Sequence, residues 1–118
     1  MTLWNDRPDA WHEAQPGVRR RILSHGDGVM VTMYEIAPNT TIKRHSHRIV
    51  QSGTLLEGGA TFQVGREVYR VVKGSSWSIP SGVPHEFVSG PKGLCRVVEV
   101  FVPEREDILD EALPPDQK

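Results

Sequence analysis

Three histidines carry the chemistry that this chain can offer. His45 and His47 stand one residue apart in His45-Ser46-His47-Arg48-Ile49-Val50-Gln51, and His85 ends Pro80-Ser81-Gly82-Val83-Pro84-His85. Side chains of an extended segment alternate between its two faces, so histidines at i and i+2 present their rings on one side. The third arrives on a separate segment that two prolines and a glycine hold stiff. Imidazole is the commonest protein ligand for metal ions and suits zinc, iron, nickel and copper. The pattern predicts one divalent transition metal ion (Zn, Ni, Mn, Fe or Cu) on His45, His47 and His85, with Gln51 as candidate fourth ligand. A His-x-His pair also occurs on solvated strands with no ligand, so the weight rests on the register of both segments together.

That register has a clear form. From His47, three residues lead to Gln51 and six more to Gly58, while Gly74, Pro80, Gly82 and His85 follow G-x5-P-x-G-x2-H. The double pattern resembles the cupin superfamily, whose motifs read G-x5-H-x-H-x3/4-E-x6-G and G-x5-P-x-G-x2-H-x3-N. Three positions depart from it: Asn39 replaces the first glycine, Gln51 the glutamate and Ser89 the final asparagine. Asn39 is a mild change, because asparagine tolerates left-handed backbone and Pro38-Asn39 is a turn pair. Gln51 removes one negative charge from the site. The resemblance covers residues 39–89 and implies an all-β, single-domain cupin, a jelly-roll β-barrel.

Positioning three such rings requires strands, and the texture of the chain supplies them. Short β segments are expected at 19–24, 29–36, 41–47, 51–57, 60–64, 67–72, 76–79, 85–88 and 94–102. Turn signals separate them, among them His25-Gly26-Asp27-Gly28, Gly58-Gly59, Gly65-Arg66 and Gly90-Pro91-Lys92-Gly93. Many short strands at this spacing point to a barrel or sandwich. Residues 1–17, with Trp4 and Trp11, read as an N-terminal arm lying on the barrel or on a partner subunit. The barrel is expected over 18–103. In the C-terminal segment, 104–118, residues 104–113 can form a turn or two of helix before a loose Pro114-Pro115-Asp116-Gln117-Lys118 tail.

The bulk properties narrow the function. A chain of 118 residues suits one domain with one core. A net charge of −1 argues against nucleic-acid binding, and the Arg19-Arg20-Arg21 run reads as a solvated strand or turn. No helix-turn-helix segment is present. The single cysteine, Cys95, excludes an internal disulfide, fits a reducing compartment and reads as a small buried strand residue. No apolar run is long enough to span a membrane and no signal peptide opens the chain, so a cytoplasmic protein is expected.

The last strand poses a question of facing. In Val97-Val98-Glu99-Val100-Phe101-Val102, Glu99 shares a face with Val97 and Phe101. A carboxylate there is outward and solvated, the default, or inward and costly unless paired; neither face of the strand is plainly polar, so both are expected to be covered and one can line a pocket. Glu99-Val100-Phe101-Val102-Pro103-Glu104-Arg105-Glu106-Asp107 resembles the Asp-x-Phe-x-Pro-x-Arg-Glu-Asp segment of KdgF-like cupins of pectin and alginate breakdown. That group also tends to carry a glutamine in the first motif, a Leu-Glu-Gly turn (Leu56 to Gly58) and an Ile-Pro-x-Gly-Val-Pro-His string (Ile79 to His85). The resemblance implies conversion of a 4,5-unsaturated monouronate to a linear ketouronate. It makes Glu99 and Arg105 catalytic and Phe101 and Arg105 substrate-binding. Glu99 is one methylene longer than the aspartate of that group. Lys43, two residues before His45, is a further substrate-binding candidate if it faces the barrel mouth; otherwise it is a solvated rim lysine. Two other functions remain open, a metal-dependent dioxygenase and a non-catalytic small-molecule binding module. The expected partners are a small molecule, a sugar acid on the first reading, and a second copy of the chain as a homodimer by the same resemblance.

Overall fold

The computed structural model describes residues 1–116 and is built almost wholly of strands. In chain order these are β1 (His12–Gln15), β2 (Val18–Gly26), β3 (Val29–Ile36), β4 (Thr41–His45), β5 (Val50–Glu57), β6 (Gly59–Val64), β7 (Glu67–Val72), β8 (Ser76–Ile79), β9 (His85–Ser89) and β10 (Cys95–Val102). They form two antiparallel sheets, ordered β1-β2-β3-β10-β5-β8 and β4-β9-β6-β7. This is the all-β architecture that the turn spacing predicts, and the jelly roll that the cupin resemblance implies. One core joins the sheets around Ile36, Leu55, Phe62, Ile79, Phe87 and Val97. A second, smaller core gathers Ile22, Met30, Phe101 and Ile108 under the C-terminal segment. Among the described residues, no helix is long and apolar enough to cross a membrane.

The arm is more structured than its composition predicts. Its β1 pairs with β2 through His12↔Arg20 and Glu13↔Arg19. Four mostly exposed residues carry no alternation, so sequence periodicity could not reveal the strand. The arm packs on its own barrel and clasps the tail. Trp4 Nε1 donates to the Leu113 carbonyl at 3.2 Å, and Asp116 N donates to the Leu3 carbonyl at 2.8 Å. The expected loose tail is thus tied down through Asp116; Gln117 and Lys118 lie outside the described residues.

The arginine run also departs from expectation. Arg19 pairs with Glu35, Arg21 with Asp6, and Arg20 makes a two-pronged bond to Glu111 at 2.7 and 3.0 Å. The Arg20 and Arg21 side chains are mostly covered, because the arm and the Glu106–Glu111 3-10 turn lie over β2.

Strand β10 settles the facing of Glu99. It runs between β3 and β5, and Cys95, Val97, Glu99 and Phe101 all face inward. The outward default fails because turning Glu99 out would also expose Val97 and Phe101. Two large apolar side chains outweigh one carboxylate, at roughly 1.5–3 kcal/mol each.

Candidate metal centre

The two histidine segments are joined through backbone before their rings meet. His45 ends β4 directly opposite His85, the first residue of β9. His47 lies just past the strand, and its carbonyl accepts a 2.8 Å hydrogen bond from Gly82 N in the proline-framed turn. Gly82 sits at φ +79°, a left-handed conformation that glycine adopts without penalty. Ring centroids are 4.4 Å apart for His45–His85, 5.0 Å for His47–His85 and 5.7 Å for His45–His47.

The tautomers follow from the backbone. His45 Nδ1 lies 2.7 Å from the Lys43 carbonyl, His47 Nδ1 2.8 Å from Ile49 and His85 Nδ1 2.9 Å from Val83. A carbonyl only accepts, so each Nδ1 carries a proton and each Nε2 is left able to offer its lone pair. One ligand atom from each ring lies within 4.8 Å of the other two. His85 Nε2 is buried without a hydrogen-bond partner among the described residues. Burial, followed by its own carbonyl contact acting in opposition and then by the charges of His45 and His47, lowers the His85 pKa and favours the neutral, ligating ring. Gln51 Oε1 lies 3.0 Å from His47 Nε2. The three histidines are therefore positioned to bind a metal ion, and Gln51 lies beside His47.

The rings open onto a cavity between the sheets. Ile36, Ile42, Phe62, Phe87 and Val97 make its apolar wall, and Tyr34, Gln51, Glu99, Phe101 and Arg105 complete it. Glu99 is buried, and desolvation pushes its carboxyl up to about 8, against the Gln51 amide, the Trp77 indole and the Arg105 charge. Neither Glu99 Oε2 nor Trp77 Nε1 makes a well-formed hydrogen bond. Arg105 Cζ lies 5.0 Å from the centroid of the Phe101 ring, a cation–π contact. Its Nη1 donates to the Tyr34 hydroxyl at 2.9 Å.

The structure brings His45, His47, His85, Gln51, Glu99, Phe101 and Arg105 to this one cavity. Lys43 is not among its lining. A register irregularity between Ile42 and His45 lets both of those residues line the cavity and breaks the alternation that would have carried Lys43 with His45. Lys43 is exposed and contributes only its carbonyl. Sequence reasoning missed Tyr34, Trp77 and Gly53. Gly53 pairs with both Glu99 and Trp77, and those side chains meet in the space its missing Cβ leaves. An isolated glycine inside a strand marks such a close approach, and that signal was present.

Comparison with known proteins agrees with this architecture. The profile of the family described as "Cupin domain" (Cupin_2) matches residues 32–101. The HTH-type transcriptional regulator PuuR of Escherichia coli (strain K12) is 34% identical over 91 residues, which are 74% of this chain and 49% of that protein. The chain thus spans about half the length of the curated relatives it matches. Among solved structures, KdgF from Halomonas sp. superposes with a TM-score of 0.85 at 22% identity, covering 92% of this chain and 99% of that one. The polyketide cyclase RemF from Streptomyces resistomycificus gives 0.69 at 29% identity, over 76% and 68% of the two chains.

Proposed function

The chain belongs to the cupin domain family, and from that premise we propose that it is a metal-dependent enzyme converting a 4,5-unsaturated monouronate to a linear ketouronate. The observation that carries this reading is the company of the histidines. A buried acid, an aromatic ring and an arginine from one strand and its exit turn share their cavity. Arg105 supplies positive charge for the uronate carboxylate. Phe101 offers an apolar face to the sugar ring. Glu99, a buried acid in the same cavity wall, is placed to pass a proton. In the isomerisation the C1 hydroxyl loses its proton, the bond from C1 to the ring oxygen breaks to leave an aldehyde, and the released C5 enolate gains a proton at C4 to become the ketone, so no atom is lost or gained. His45, His47, His85 and Gln51 would hold the divalent cation, which supplies Lewis acidity toward a sugar oxygen.

The test is optical. Added to an unsaturated galacturonate monomer, the metal-loaded protein should speed the loss of conjugated-alkene absorbance, and Arg105→Ala should slow it far more than it lowers thermal stability. A rate equal to the spontaneous one would defeat the proposal.

A second reading, a small-molecule binding module, draws on the 34% identity to half of the transcriptional regulator PuuR. On that reading the ligand binds and returns unchanged.

A further inference from the structure

Arg105 is not free to grip a substrate carboxylate with its two-pronged edge. Its Nε and Nη2 already bond both oxygens of Asp107, at 3.2 and 2.7 Å. Only Nη1 turns elsewhere, and it donates to the Tyr34 hydroxyl oxygen at 2.9 Å. Tyr34 stands cross-strand between Arg20 on β2 and Val97 on β10, and it lines the cavity. Arg20 is held cationic chiefly by its bond to Glu111 and further by the nearby phenol. One guanidinium thus donates to the phenol oxygen, and a second, that of Arg20, belongs to its cross-strand neighbour. A phenol has a single hydrogen to donate, and among the described residues nothing accepts it. An O–H without an acceptor, in a cavity wall and flanked by two cations, is a seat for an anion.

We infer that the carboxylate of the ligand is held by a mixed pair, the Tyr34 O–H and the Arg105 Nη1, and not by the fork of Arg105. Arg20 and Glu111 act behind Tyr34 as positioning residues, and Asp107 occupies the fork as an internal carboxylate. This rests on the reading that the ligand is an acid. It assigns to Tyr34 the selection of acids over neutral sugars, and it explains why the 3-10 turn carrying Asp107 and Glu111 is packed so firmly over β2. Ile108 in that turn is 1% exposed.

Calorimetric titration of the metal-loaded full chain tests this with three probes: galacturonate, its neutral counterpart galactose, and acetate. Tyr34→Phe keeps the ring and removes one donor to a charged group, so it should weaken galacturonate and acetate by about tenfold or more. It should leave galactose unchanged, with an unaltered thermal melt. Asp107→Asn should change galacturonate affinity by no more than about threefold, as an exposed ion pair contributes little. Full galacturonate affinity in Tyr34→Phe would overturn the inference. So would a tightening beyond about tenfold in Asp107→Asn, which would make the fork the seat. If the unaltered protein prefers no acid sugar over galactose, yet its acetate binding still depends on Tyr34, the uronate reading falls and the mixed pair stands. If neither carboxylate binds, the pair falls as well.

Discussion

Gly53→Ala sets two effects of opposite sign against each other. Gly53 lies in the middle of β5, with no left-handed backbone to protect. On backbone grounds alone, replacing a strand glycine by alanine should stabilise by roughly 0.5–1 kcal/mol. The new methyl, however, would lie 2.5 Å from Trp77 Nε1 and 2.6 Å from both Trp77 Cε2 and Glu99 Oε2. Trp77 is pinned edge-on against Phe62 at 5.1 Å, and Glu99 is buried, so neither can swing into water. Overpacking of a well-filled core destabilises by roughly 1–3 kcal/mol. Taking about 2.1 cal/mol/K per residue for the unfolding entropy, each kcal/mol moves Tm by about 4 °C in a chain of 118 residues. The steric effect should win, lowering Tm by several degrees in circular-dichroism melts and shifting Trp77 fluorescence. Pairing the change with Trp77→Leu should reduce its incremental effect, because the obstructing indole is gone. A Gly53→Ala protein that melts at or above the unaltered Tm would refute the argument that this glycine exists to let Trp77 and Glu99 meet.

Three further outcomes follow from the same geometry. Elemental analysis of protein purified without chelator should find close to one metal per chain, and His47→Ala should reduce it to near none; equal content in both would remove His47 from the ligand set. In chelated protein, the buried Glu99 has a pKa raised from 4.5 to about 8, so its contribution to folding is fully present below the lower value and is lost as pH rises through the higher. Chelated Glu99→Gln should therefore gain stability relative to the chelated unaltered chain between pH 5 and 8.5, read from urea midpoints, and the metal-loaded variant should lose about 10²–10⁴-fold in rate. Ile108→Ala should cost roughly 2–5 kcal/mol in urea unfolding. Ile108 packs in the cluster that holds Phe101, so ligand affinity should fall with it. A surface-like change under about 0.5 kcal/mol would show that the tail does not support the site.

Much of this protein was legible in its residues before any coordinates. The spacing of His45, His47, His85, Gly74, Pro80 and Gly82 matched the cupin motifs, and through that resemblance it implied the barrel and singled out the three histidines. The segment from Glu99 to Arg105 named the cavity residues through its resemblance. What could not be read was whatever depends on partners distant in sequence. The facing of Glu99 followed from the place of β10 between β3 and β5. Lys43 was lost to a register irregularity that no alternation rule foresees. The arm strand, the covered Arg20 and Arg21 and the clasped tail came from contacts spanning most of the chain, such as Trp4 to Leu113. Residue type and local spacing are properties of the chain, so three imidazoles suited to a cation and an arginine suited to an anion were visible from the residues alone. Which donors are already spent is a matter of folding: it put Asp107 on the fork of Arg105 and left the Tyr34 hydrogen with no acceptor among the described residues, since hydrogen-bond partners are assigned in three dimensions and not by order along the backbone.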